Sequence, residues 1–164
     1  MESEGEILAA VVTVSDTRNE SNDASGEHLA NLLKNLGAEV VERIIVSDEL
    51  MPLRNTLFSL SERDDINLIL TTGGTGFAER DNTPEATRSI IQKEAPGIAE
   101  AIRAESLKIT PTAMLSRGVA GVCNGTLIIN LPGSEKGVAE CFAVIRPVLV
   151  HAVDIVSGRT SHCT

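Results

Sequence analysis

Two stretches of the chain are apolar at almost every position. Residues 7–14 (ILAAVVTV) end abruptly at Ser15-Asp16, and residues 126–131 (TLIINL) end at Pro132. Runs this rich in β-branched residues, without polar alternation, predict strands covered on both faces. Residues 39–46 (EVVERIIV) and 66–71 (INLILT) read as further strands, and residues 119–123 as a weaker one. Between them the apolar spacing becomes helical. Leu29, Leu32, Leu33 and Leu36 share one face of a helix that Ser25 would cap and Gly37 would end. Leu53, Leu57 and Leu60 mark a second helix, capped by Ser47 or Asp48. Thr83-Pro84-Glu85 predicts a third start, with Thr as cap, Pro in the first turn and an acid at the positive end. That helix is expected to run to about Glu94, before Pro96-Gly97. Residues 98–107 predict another helix and residues 111–117 a short one. A final helix follows Pro132-Gly133-Ser134, with Pro147 kinking or restarting it before Gly158. The order is βαβαβα–αα–ββα. It predicts an α/β fold of three layers, a mostly parallel sheet with helices on both faces.

The 164 residues suit one domain, 1–164, with its core over about residues 7–157. Trp and Tyr are absent and the only aromatics are Phe58, Phe77 and Phe142, so the core must be aliphatic. The formal net charge of −9, with no basic cluster, argues against nucleic acid and anionic lipid as partners. No apolar run approaches the ~20 residues of a membrane span, so no membrane insertion is expected. The acidic start, Met1 to Glu6, is unlike a secretory signal. Cys123, Cys141 and Cys163 form neither a disulfide framework nor a zinc pattern. A reducing compartment, the cytoplasm, is the expected location, with Cys141 a buried small residue.

In an open parallel sheet, ligands bind beyond the carboxyl ends of the strands. Four predicted strand ends carry polar, turn-forming residues: Ser15-Asp16, Ser47-Asp48, Thr72 to Gly76, and Asn130 to Ser134. The turn Thr71-Thr72-Gly73-Gly74-Thr75-Gly76 is the most informative. Glycines let successive backbone N–H groups turn toward a ligand and form a concave site for phosphate oxygens. The spacing fits neither the dinucleotide fingerprint nor the P-loop, and no Lys follows. Asp81, five residues after Gly76, would repel a bound phosphate unless a cation sits between them. Mg²⁺ is the usual bridge, and Asp48 could be its second carboxylate. The alternatives are a helix cap for Asp48 and a salt bridge from Asp81 to Arg80 or Arg88. Glu85 reads as a first-turn helix acid. Ser116, Arg117 and Lys108 could reach a phosphate, or serve as a cap and surface pairs; Arg117 could equally meet a carboxylate. Pro132-Gly133-Ser134 offers a second anion site at a helix start. His28 and His151 fall in helices and His162 in the tail, so no histidine-based catalytic set is expected. Positioning and charge neutralisation would suffice for phosphoryl or nucleotidyl transfer.

Several motifs together resemble the molybdopterin adenylyltransferases of molybdenum-cofactor synthesis, the gephyrin G-domain type above all. They are Thr13-Val14-Ser15-Asp16, Asp23-Ala24-Ser25-Gly26, Leu68 to Phe77, and Arg80-Asp81-Asn82-Thr83-Pro84-Glu85-Ala86. Ser106 to Pro111, Met114-Leu115-Ser116-Arg117 and Leu127 to Ser134 continue them, so the likeness spans about residues 7–157. Departures are Ala24, where relatives often carry Arg, Asn82 in place of a usual Val, and Glu135 after Ser134. The resemblance implies a homotrimeric α/β fold that transfers AMP from Mg-ATP to the terminal phosphate of molybdopterin and releases pyrophosphate. Carried onto this chain, it makes Asp48 and Asp81 the essential carboxylates that manage Mg²⁺. Gly73, Gly74, Thr75 and Gly76 would hold phosphates, and Ser15, Asp16, Ser106, Lys108, Ser116, Asn130, Gly133 and Ser134 would line the substrate pocket. A molybdate-inserting domain or protein is the further partner it implies. The rival reading is a non-catalytic molybdopterin-binding or scaffold domain, against which the presence of both Asp48 and Asp81 counts. A generic flavodoxin-like domain is weaker still, for want of aromatics to hold a flavin.

Overall fold

The computed structural model describes residues 5–158. Six strands form one sheet: β1 (Leu8–Val14), β2 (Glu39–Val46), β3 (Leu68–Thr72), β4 (Lys93–Glu94), β5 (Ala120–Cys123) and β6 (Thr126–Leu131), in the order β2-β1-β3-β6-β5-β4. The first four in that order are mutually parallel, with Val11 opposite Arg43 and Leu70, and Leu70 opposite Ile129. β5 and β4 add an antiparallel edge. β6 and β5 are joined by Asn124-Gly125, both at positive φ (51° and 76°). That is the turn geometry that matches strand twist in a tight hairpin.

The helices are α1 (Ala24–Leu36), α2 (Leu50–Ser61), α3 (Thr83–Arg88), α4 (Pro96–Leu107) and α5 (Glu135–Val156), with a 3₁₀ turn at Pro111–Leu115. They cover both faces. On one, Leu29, Leu33, Ile102, Phe142, Ile145 and Leu149 pack on Ala9, Val11, Leu68, Leu70 and Ile129. On the other, Leu53, Leu57, Leu60, Ala86 and Ile90 pack on Ala10, Val12, Ile69 and Ile128. Successive residues of a strand thus enter opposite cores, which is why β1, β3 and β6 are apolar without alternation. The three-layer, mostly parallel arrangement matches the sequence reading.

Three helix starts differ from expectation. Asp23, not Ser25, caps α1: its carboxylate accepts from Gly26 N–H at 3.1 Å, while Ser25 is buried within the helix. Asp23 is held there by Thr13 Oγ1 at 2.9 Å and Arg43 at 3.1 Å, contacts from β1 and β2 that no local pattern reveals. α2 starts after Glu49 without a side-chain cap, and Ser47 Oγ accepts from Glu49 N–H just outside it. Asn82 occupies the cap position of α3, and Thr83, one residue inside, donates its hydroxyl to Gly73 O at 2.9 Å. α3 also ends at Arg88 rather than near Glu94, because Lys93–Glu94 pairs with β5. α5 runs through Pro147.

From β1 the chain goes to β2 on one side; from β3 it passes to the strands on the other. The switch in direction lies between β1 and β3, where loops diverge and leave a crevice at the carboxyl ends. The loops after β1, β2, β3 and β6 all meet there.

Candidate functional site

The loop after β3 forms the floor of the site. Gly73 and Gly74 both take positive φ (103° and 68°), a region costly for residues with a Cβ. Space forbids a side chain as well. A Cβ on Gly73 would lie 2.6 Å from Val14 O, and one on Gly74 would collide with Thr83 Oγ1. Gly73 N–H donates to Leu131 O at 3.1 Å, so this amide is engaged inside the sheet rather than offered to a ligand. The carbonyls of Gly74 and Thr75 accept from Thr83 N–H (3.1 Å) and Arg117 N–H (2.9 Å), while the N–H groups of Gly74, Thr75 and Gly76 meet no protein acceptor among the described residues. The Gly73 amide is therefore unavailable to the expected nest.

A cavity of about 450 Å³ opens over this floor, lined by Ser15, Arg18, Gly73, Gly74, Gly133 and both candidate carboxylates, Asp48 and Asp81. Asp48, at the end of β2, accepts from Asp16 N–H at 2.9 Å, and Asp16 returns the contact to Asp48 N–H at 3.1 Å. Arg80 donates to the other oxygen of Asp16 at 2.5 Å. This bond lowers the Asp16 carboxyl below its ordinary range. Asp48 is raised, first by burial and then by the neighbouring negative charge of Asp16. Asp81 accepts from Ala78 N–H at 3.0 Å and has no ion pair among the described residues, so the expected alternative bridge to Arg80 or Arg88 does not form.

Arg117 builds the shape of the Asp81 loop. It donates to Gly76 O and Asp81 O, each at 2.8 Å, and ion-pairs with Glu85. Burial raises the Glu85 carboxyl, but the Arg117 bond and nearby charges outweigh it and leave the group below its ordinary value. Of the two partners the sequence allowed for Arg117, the structure places the carboxylate.

A second cavity of about 490 Å³ lies beside the first, lined by Thr75, Gly76, Ser106, Ser116, Asn130 and Ser134 among others. Ser134 borders both cavities. Its hydroxyl caps α5 by accepting from Gly137 N–H at 3.0 Å. The larger cavity mixes these polar groups with Ile102, Ile109 and Leu115. Asn130 is buried at its wall with its amide engaged internally, donating to Thr71 and Thr87 hydroxyls (3.1 and 3.0 Å) and accepting from Val119 N–H (3.1 Å). Its geometry is that of a brace between β6, β3 and α3.

Most sequence-predicted site residues therefore converge. Ser15, Asp48, Gly73, Gly74, Asp81 and Gly133 meet in the smaller cavity, Thr75, Gly76, Ser106, Ser116 and Asn130 in the larger, with Ser134 between. Two stand apart. Lys108 lines neither cavity and is salt-bridged to Glu105 at 2.8 Å, and Asp16 sits outside, supporting Asp48. Arg18 was missed, since it sits in a polar loop with no motif of its own. Among the described residues no group of three or more His, Cys, Asp and Glu side chains could cage a metal. Asp48 and Asp81 facing one cavity fit a cation that takes most of its ligands from phosphate and water, as Mg²⁺ does.

A family model described as a probable molybdopterin binding domain matches residues 10–151. The chain is 45% identical over 158 residues to the molybdenum cofactor synthesis protein cinnamon of Drosophila melanogaster, covering 94% of this chain but only 26% of that protein. It is 40% identical to a molybdopterin adenylyltransferase of Helicobacter pylori, covering 93% of this chain and 89% of that one. Among solved structures, a molybdenum cofactor biosynthesis protein B superposes with a TM-score of 0.89 at 33% identity, over 96% of this chain and 99% of the other. The molybdopterin biosynthesis enzyme MoaB of Thermus thermophilus gives 0.84 at 45% identity, over 92% and 96%.

Proposed function

Because the chain belongs to the probable molybdopterin-binding domain family, we propose that it is a nucleotidyltransferase, transferring AMP from ATP to the terminal phosphate of molybdopterin in molybdenum cofactor biosynthesis. The observation that carries the reading is the pair of adjoining cavities, divided by the glycine loop and Ser134, with two carboxylates facing one of them. Two anionic substrates need two sites that meet, and the ridge between them is where their phosphates would come together.

In this reading a terminal phosphate oxygen of molybdopterin attacks the α-phosphorus of ATP. A new P–O bond forms, the bond to the β-phosphate oxygen breaks, and pyrophosphate leaves with the bonding electron pair. The protein contributes positioning and electrostatics. The amides of Gly74, Thr75 and Gly76 hold phosphate oxygens. Ser106 and Ser116 contact substrate across the larger cavity, and Asn130 fixes its wall. Asp48 and Asp81 hold Mg²⁺, which when bound neutralises phosphate charge and aligns the leaving group. Asp16 and Arg117 set those two carboxylates in place.

The whole of chain 1–164 acts as one domain in this proposal. It works in the cytoplasm, in keeping with the free buried thiols of Cys123 and Cys141; Cys163 lies outside the described residues. No helix among the described residues is long and apolar enough to cross a membrane. It assembles as a homotrimer, for which the exposed Leu107 and Met114 provide apolar surface. A molybdate-inserting domain or protein consumes its product. Incubating the protein with ATP, Mg²⁺ and molybdopterin, with mass detection, should yield an adenylylated pterin and pyrophosphate. Tight molybdopterin binding without that product would leave a non-catalytic binding domain instead.

A further inference from the structure

Arg18 lies in the loop between β1 and α1, yet its contacts reach across the site. Its Nη1 donates to Ser25 Oγ at 2.5 Å and its Nη2 to Gly133 O at 3.2 Å, 115 positions away in sequence. Its own N–H donates to Ser15 Oγ at 3.1 Å, which fixes the root of the side chain. Gly133 is packed so closely on the glycine loop that a Cβ there would lie 3.3 Å from Gly73 Cα. The guanidinium is therefore held at the wall of the cavity that Gly73 and Gly74 also line.

Its one ion pair among the described residues is marginal. The nearest acid, Asp23, has a fully buried side chain and is 4.0 Å away, the limit for an ion pair. Asp23 already has Arg43 at 3.1 Å, Thr13 Oγ1 and the Gly26 N–H. Arg18 is also the only cationic side chain lining the smaller cavity, among the described residues. The fork has more N–H donors than its two protein acceptors use, and planar donor pairs suit phosphate oxygens.

From this geometry we infer that Arg18 is a phosphate-binding residue: its guanidinium clamps a phosphate of the nucleotide substrate from the side opposite Asp48. The inference rests on the nucleotidyltransferase reading and deepens it by naming the cation on the nucleotide. Ser25 and Gly133 set the plane of the fork, so the anion is met by a pre-aligned donor pair.

The test is direct binding of Mg-ATP and of Mg-pyrophosphate by calorimetry, without turnover, for wild type, Arg18→Gln and Arg18→Lys over a range of salt concentrations. Arg18→Gln should weaken both ligands at least tenfold and flatten the salt dependence of Kd. Arg18→Lys, which keeps the charge and loses the fork, should fall between. Thermal midpoints should stay within a few degrees. Unchanged affinity in Arg18→Gln overturns the inference while leaving the adenylyl-transfer reading intact. So does equal weakening in both variants with an unaltered salt slope, which would make Arg18 a loop brace. Wild type that binds neither ligand overturns both readings together.

Discussion

Replacing Asp81 by Asn removes one negative charge and changes almost nothing else. The Asp81 carboxylate accepts one protein hydrogen bond, from Ala78 N–H at 3.0 Å, and an amide oxygen can take its place. The backbone of the loop is held separately by Arg117 through Gly76 O and Asp81 O. Exchanging a charged acceptor for a neutral one at a half-buried site costs about 1 kcal/mol or less. For a chain of this length that lowers the midpoint by roughly 2–4 °C. Catalysis should suffer much more. The carboxylate faces a cavity where a divalent cation and phosphates are to be brought together, and unit charges about 4 Å apart interact by ~4 kcal/mol at an effective dielectric near 20. Part of that is present before the chemical step, so a loss of about 2.7–4 kcal/mol in the transition state is reasonable, or roughly 10²–10³ in rate. Pyrophosphate release from ATP, Mg²⁺ and molybdopterin should therefore collapse in Asp81→Asn, while a thermal melt shows a folded protein. A folded variant that releases pyrophosphate at the wild-type rate would remove Asp81 from the mechanism.

Asp48→Asn makes a prediction of opposite sign for stability. Burial and Asp16 raise the Asp48 carboxyl, so the fold binds that proton more tightly than the unfolded chain and is disfavoured once the group ionises. The variant should melt higher than wild type at neutral pH, with the gain shrinking as pH falls and the wild-type group protonates, and it should be inactive; a lower melting point at neutral pH counts against the assigned cause. Asp16, lowered by Arg80, contributes stability above the ordinary carboxylate range that is lost as pH falls through its own lower value, so acid should disturb Asp48 before Asp16, and Mg²⁺ affinity measured against pH should fall before the Asp16–Arg80 pair breaks. Arg117→Lys cannot reach Gly76 O, Asp81 O and Glu85 at once; unfolding curves should show a loss of about 1–3 kcal/mol, with kcat falling more than KM because Asp81 is displaced. Gly74→Ala at φ 68°, with its Cβ against Thr83 Oγ1, should cost about 1–3 kcal/mol in the same assay and weaken pyrophosphate binding, and a variant as stable as wild type would contradict the loop geometry.

The sequence shows most where residues act through periodicity. The strand read over 39–46 is β2 as found, the one read over 126–131 is β6, and the glycine turn sits at the end of β3. The Asn124-Gly125 pair, a hairpin signal that the sequence reading did not use, sets the antiparallel edge that the alternation alone does not reveal. β4 was out of reach, because two exposed residues, Lys93 and Glu94, carry no pattern and form a strand only because β5 is beside them. Long-range contacts hid the rest. Asp23 outcompetes Ser25 as a cap because Thr13 and Arg43 bury it in place. Asn130 looks like a ligand group in sequence and is a brace in space. Lys108 looks like a free cation and is tied to Glu105. Arg18 had no signal at all, since Gly133 is adjacent only after β1, β3 and β6 have lined up.

Strand order also explains why the site separates its charges. In the order β2-β1-β3-β6, Asp48 follows the strand at one side and Gly133 the strand at the other. The amides of the β3 loop lie between them. Arg18 starts from β1, next to β2, but is drawn over β3 to the β6 loop by its bond to Gly133 O. A phosphate chain laid over the glycine loop then meets the Asp48 carboxylate toward β2 and a guanidinium toward β6. The β2 side repels it until a cation is present, and the β6 side attracts it at once. Binding of pyrophosphate without Mg²⁺ should thus depend on Arg18 and be improved by Asp48→Asn, whereas binding with Mg²⁺ should be impaired by the same substitution. That reversal of sign requires the carboxylate to face the phosphates through the cation. If Asp48→Asn shifts both affinities in one direction, Asp48 does not stand where the sheet order puts it in this reading.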